Sequence, residues 1–355
     1  MTNSFFKTIL PGSFRLLLFS MMMYSCNNNE SSSVMQASKI FVANEDGGSI
    51  SVIDLSDSTK NTTINLSDSS GMFMVHNVQV SPNGLTVLAT ANPMDSTKES
   101  ELIAIDPITY AITRRIKLGK GLELTHVVFD SASKNIFAAE PKNNQVIQVN
   151  TETGNVVRKF DLGKENGPHG LRYGSGKLYV ANMGSKSMSI IDIASGQIHE
   201  IPLGGMAVQT AVTQDGKFVF ATLYDSKEVI RYEVQSKQIT RIALPDGSQG
   251  PVQSYSTPDS KLLFVADQGF LLNRPVSDKV FVIDIASAKV IGTIKVGNKA
   301  HGVVISNDGK TVFITNQQDN TVSQIDVASQ KVTGRFSVGK NPNGLSYWYK
   351  VGGMP

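Results

Sequence analysis

One unit of roughly 45 residues recurs along almost the whole chain after residue 38, and that recurrence restricts the fold more than any other property of the sequence. The stretch Gly302 to Asn316, followed by Thr321 to Asp326 and Lys331 to Gly339, reads as strand, turn, strand, turn, strand, turn, strand. Leu171 to Asn182, Met188 to Asp192 and Gln197 to Gly204 repeat the same phrase. Asn83-Gly84, Asp215-Gly216 and Asn307-Asp308-Gly309 separate the first strand from the second, where residues that tolerate positive φ are needed. The residue that closes each third strand serves as a ruler. It is Asp54, Asp106, Asn150, Asp192, Glu233, Asp284 and Asp326, seven positions spaced 41 to 52 residues apart. Short strands rich in Val, Ile, Phe and Tyr, in units of this length, predict blades of four antiparallel strands.

The expected fold is therefore an all-β, seven-bladed β-propeller over residues 39–349. Its first blade is completed by pairing of a second-type strand at the start, Lys39 to Asn44, with a first-type strand at the end, Leu345 to Tyr349. Such pairing removes the exposed edges of an open array. Residues 350–355 read as a C-terminal tail.

Residues 1–25 read as an export signal. Lys7 and Arg15 precede the apolar run Leu16 to Met23, which is too short to span a bilayer. The only cysteine of the chain, Cys26, follows Met23-Tyr24-Ser25, and this segment resembles a bacterial lipobox, which implies a lipid on Cys26. With one cysteine there is no intramolecular disulfide and no cysteine-rich metal site. The polar stretch from Asn27 to Ser33 belongs to a flexible tether over 26–38, similar to those of outer-membrane lipoproteins of Bacteroidetes. The expected location is the cell envelope, anchored to the outer membrane and either periplasmic or surface-exposed, with the membrane contacted only through the lipid. The formal charge of +3 falls to +1 without Lys7 and Arg15. Nothing in that balance favours nucleic acid.

Tyr179-Val180-Ala181-Asn182, Phe41-Val42-Ala43-Asn44 and Phe313-Ile314-Thr315-Asn316, with Ser51 to Asp54, Ser189 to Asp192 and Phe281 to Asp284 downstream, resemble the signature of the YVTN-repeat β-propellers. The resemblance implies the fold and leaves function open. Similar propellers include secreted surface proteins, lactonases, the haem domain of cytochrome-cd-type nitrite reductases and the copper-cluster domain of nitrous-oxide reductase.

Because strands alternate in direction, loops leaving second strands and loops leading into first strands share one face of the disc. Second-strand ends bring Asn44, Glu140, Asn182, Asp267 and Asn316 to that rim. Starts of first strands bring His76, Thr125, His169 and His301. Imidazoles suit zinc, copper or iron, so His76, His169 and His301 form a candidate transition-metal site. The plainer alternative is that each histidine caps a local turn. His126 lies one position later, and the alternation of a strand directs it elsewhere. His199 falls on an outermost strand.

A second class of function is a rim-based hydrolase or lyase, lactonase-like or streptogramin-lyase-like. It would pair His169 or His301 with Glu140 or Asp267 as acid and base. Asn44, Asn182, Asn316 and Arg274 are further candidates for holding a small-molecule or protein ligand. Arg274 lies in an insertion, Gln268 to Lys279, that with Asn92 to Ser100 overhangs the same face as a lid or a contact with a neighbouring blade. Gly119-Lys120, Gly163-Lys164 and Gly339-Lys340 place lysines on that face.

Overall fold

The computed structural model describes residues 38–67, 71–349 and 351–352. The signal segment, Cys26 and nearly all of the tether lie outside them. The described strands form seven antiparallel sheets around a central axis, one per repeat. The third blade is representative, running outward from the axis as Val127–Phe129, Asn135–Glu140, Gln145–Asn150 and Val156–Asp161.

The ring closes as the sequence predicts. Pro342–Tyr349 is the innermost strand of the first blade and pairs antiparallel with Lys39–Asn44, in the register Lys39 to Trp348, Ile40 to Tyr347 and Phe41 to Ser346. Tyr347 is buried, its hydroxyl lies 2.5 Å from Ser38 Oγ, and its ring stacks on Phe313 of the seventh blade. The Trp348 indole donates to Gly84 O of the second blade at 2.8 Å. The backbone of Val351–Gly352 adds a short strand to this sheet.

The physical basis of the repeat is visible in its recurring residues. Phe41, Phe137, Phe220, Phe264 and Phe313, at equivalent positions of second strands, are fully buried, so five of the seven blades pack on a neighbour through a phenylalanine there. Gly84, Gly216 and Gly309 take φ near +70°, which the tight first turn requires. The ruler residue bonds the turn that follows it. Asp106 Oδ1 accepts from Ile108 and Thr109 backbone N–H groups, and Asp192, Asp284 and Asp326 accept from Ser195, Ser287 and Ser329 in the same way.

One departure from regular pairing positions everything of chemical interest. Near the start of the innermost strands the register slips by one residue: between Pro168 and Leu171, Ala207 and Thr210, Pro251 and Ser254, and Ala300 and Val303. These are β-bulges, in which two consecutive residues oppose one on the neighbouring strand. In the third blade Thr125 N–H donates to Ala139 O while Ala139 N–H donates to His126 O, so residues 125 and 126 share one partner. In the second blade the break is wider. The innermost strand splits into Phe73–Met74 and Val78–Val80, with His76 in the gap.

Candidate metal centre in the channel mouth

His76, His126 and His169 meet at the mouth of the channel, one from each of three consecutive blades. One ligating nitrogen of each lies within 4.8 Å of the others. Their rings stand edge to face, with centroids 5.3 Å apart for His76 and His126, 5.4 Å for His76 and His169, and 5.0 Å for His126 and His169. His126 is fully buried, and the other two are half-buried. The arrangement differs from the sequence expectation at one ring. His126 joins the group because the bulge cancels the alternation that was expected to turn it away. His301 is buried on the seventh blade, its Nδ1 3.4 Å from Gln253 Nε2, and is not one of the three.

The partners of each ring set its tautomer. Glu45, in the turn Glu45–Gly47 that follows the second strand of the first blade, lies 2.8 Å from His76 Nδ1. Burial pushes the Glu45 carboxyl up. The adjacent His76 and the amide of Asn343, 2.9 Å away, outweigh burial and hold it at about 2. An ionised Glu45 only accepts, so His76 Nδ1 donates to it and Nε2 is the ring nitrogen left open to a ligand. That Nε2 is buried without a hydrogen-bond partner.

His169 Nδ1 donates to Val208 O at 2.9 Å, which likewise frees its Nε2. His126 is held differently. Gln209 Oε1 accepts from Thr210 N–H at 2.9 Å, so its amide N–H faces His126 Nδ1 at 3.2 Å and leaves the His126 proton on Nε2, also buried and unpartnered. A metal at that nitrogen would require the proton on Nδ1, with the Gln209 amide turned over and its bond from Thr210 N–H given up.

Burial, reinforced by the neighbouring imidazoles, depresses the basicity of these rings. His169 falls to about 4, His301 to about 3, and His126 well below the ordinary 6.5. They are neutral at pH 7, as ligation requires. A stability prediction follows. The unfolded chain takes up these protons near pH 6.5 while the folded chain resists until about pH 4 to 3, so stability falls as pH drops through that window and then levels. For His169 alone the loss is roughly 3 kcal/mol. Denaturant midpoints measured from pH 7 to 4 should decline, and less steeply for His169→Gln. A flat profile in the wild type contradicts the burial assigned to these rings.

Most of the remaining sequence candidates are hydrogen-bonded within the blades and their loops. Asn44, Asn182 and Asn316 are fully buried and donate to Ser49 and Ser51, Ser187 and Ser189, and Thr321 and Ser323, bracing the next strand. Glu140 accepts from Lys142 and Asn143 N–H and from the Gln145 amide. Asp267 accepts from Ser248 Oγ and from Gln249 and Gly250 N–H. Neither carboxylate forms a hydrogen bond with His169 or His301 among the described residues. All five sit one strand further from the axis than the bulges; the two carboxylates are taken up by loops and the three amide groups donate to the third strands, while Asn182 Oδ1 is buried without a partner. Arg274 donates to Tyr224 O, Asp225 O and Gln249 O, so it ties the insertion down onto the fifth blade. Phe270 and Leu272 of that insertion remain exposed. Lys120, Lys164 and Lys340 are exposed, and so is His199.

Comparison with known proteins agrees with this architecture. A family model described as YNCE-like beta-propeller matches residues 25–350. Among solved structures, the chain is similar to Kuenenia stuttgartiensis hydrazine synthase, with 16% identity and a TM-score of 0.65 over 78% of this chain and 92% of that one. It is similar to virginiamycin B lyase from Staphylococcus aureus at 15% identity and a TM-score of 0.64, over 78% and 92% of the two chains. A streptogramin B lyase structure gives 13%, 0.64, 78% and 91%. At these identities the likeness is one of fold. No curated protein matches the sequence.

Proposed function

The chain belongs to the YNCE-like beta-propeller family, and on that scaffold we propose an envelope protein that binds one transition-metal ion in the channel mouth through His76, His126 and His169. The observation that carries this reading is the convergence of three imidazoles, each from a different blade, with their ligating nitrogens within 4.8 Å. Tetrahedral zinc with bonds of about 2.0–2.1 Å separates its nitrogens by roughly 3.4 Å, so side-chain rotation of an ångström or so completes the site.

The surroundings support ligation over simple packing. Glu45 behind His76 and Val208 O behind His169 each accept from the Nδ1 side of a ring, the kind of contact by which metal-bound imidazoles are held in orientation. Turn capping, the plainer role, does not account for Nε2 atoms of His76 and His126 that are buried without partners. Three imidazoles, with no fourth protein ligand among the described residues, leave a position for something that arrives from the channel.

Export and a lipid on Cys26 are part of the same reading, supported by the leader and by Ser25-Cys26. A Cys26→Ser protein that stays in the membrane fraction removes the anchor. For the metal, calorimetric titration of EDTA-treated protein with Zn2+ should show one saturable site per chain. Absence of saturable uptake of zinc, cobalt and copper rejects the site.

One observation favours a second reading. The His76–Glu45 pair at 2.8 Å is a histidine–carboxylate couple suited to general-base chemistry, with Nε2 as the proton acceptor. That reading requires an activity that survives chelation and disappears in Glu45→Gln.

A further inference from the structure

The channel continues beneath the histidines, and one charged side chain there has no counterpart. A Cβ at Gly170 would lie 2.1 Å from Gln209 Oε1. The bare glycine of the fourth blade thus lets Gln209 of the fifth reach across to His126 of the third. Arg172 lies two residues further along the same strand, Pro168–Gly174, beyond its register slip, and its guanidinium reaches towards Tyr255 two blades on, so the side chain crosses the channel.

Arg172 Nη1 donates to Leu171 O at 2.9 Å, and its Cζ lies 5.8 Å from the ring centroid of Tyr255, which occupies the corresponding level of the sixth blade. No carboxylate pairs with it among the described residues, whereas Arg115 and Arg241 are matched by Glu101 and Glu228. A guanidinium drawn into a channel without an acid is costly unless something else supplies the negative charge. Burial already works against its protonated form.

We infer that the channel binds a small oxyanion, carboxylate or phosphate, between a metal held by His76, His126 and His169 and the guanidinium of Arg172. The inference rests on the metal reading and names the ligand that fills the open position. The charges suit it. A divalent ion above and an arginine below form a cationic pair, and the nearby carboxylate, Glu45, is already committed to His76 and Asn343.

Cobalt-loaded protein tests this, because the visible spectrum of Co2+ reports both its uptake and any change in its fourth ligand. Acetate and phosphate are titrated separately into wild type, Arg172→Gln and Arg172→Lys, each first shown to melt cooperatively. The expected result is Co2+ affinity within about threefold in all three proteins. At least one anion should then bind tenfold or more weakly to Arg172→Gln, with partial recovery in Arg172→Lys. The anion showing the larger loss identifies the class. Equal anion affinity in wild type and Arg172→Gln overturns the inference and leaves the metal site standing, as does a cobalt spectrum indifferent to both anions. Failure of the wild type to take up Co2+ removes the metal site, and the inference with it.

Discussion

Replacing His126 with alanine lowers zinc affinity more than about 100-fold, while replacing His301 leaves it within a few-fold of wild type. Loss of groups that merely orient a metal ligand costs about 10- to 100-fold, and loss of the ligand itself costs more. The contrast is informative because the repeat places His76, His169 and His301, not His126, at equivalent sequence positions. A site built on strict repeat equivalence gives the opposite ranking, with His301 essential and His126 dispensable. Both variants need a denaturation curve first, since both rings are buried. With folding verified, isothermal titration of the two proteins decides between the arrangements.

Tyr347→Ala destabilises the protein by about 3–5 kcal/mol, the range for deleting a large buried aromatic side chain. Tyr347 sits in the strand that closes the ring. Its truncation removes the stack on Phe313 of the seventh blade, the contact with Ser38 and the packing of the seam all at once. Tyr349, two residues on in the same strand and only half-buried, is the control, and its alanine variant should cost under about 1 kcal/mol. Guanidinium unfolding of both variants reads the difference directly. Equal, small losses contradict the role given to the closing strand, which joins residues more than 300 positions apart.

How much of this was legible in the sequence depends on which rule each feature obeys. Strand and turn chemistry repeats in every blade, so seven units, four strands each and closure by Lys39–Asn44 with the final strand follow from local pattern. His76 and His169 were reachable too, because registering the Asn83-Gly84 and Asp308-Gly309 turns aligns the starts of the first strands. His126 was not, since inferring a side chain's direction from its position assumes an unbroken period of two. The bulge breaks that period. One trace of it exists in the sequence, a threonine near the end of the second strand. Thr90, Thr222 and Thr315 each accept the backbone N–H of a bulged residue: Asn77, Gln209 and Gly302.

Glu45 escaped for another reason. It lies beside His76 only because the turn after the second strand of the first blade leans over the next sector, and no spacing rule encodes that proximity. Glu140 and Asp267 look like rim acids in sequence, yet their oxygens are taken up by backbone N–H groups of loops that only the folded chain brings near.

Convergence of three imidazoles from bulged strands on one ion is checked by X-ray absorption at the zinc edge of the loaded protein. The expected spectrum has three imidazole nitrogens at about 2.0–2.1 Å and one further non-histidine light donor. A spectrum without the outer-shell scattering of imidazole, or one unchanged in His126→Ala protein loaded to the same level, would contradict it.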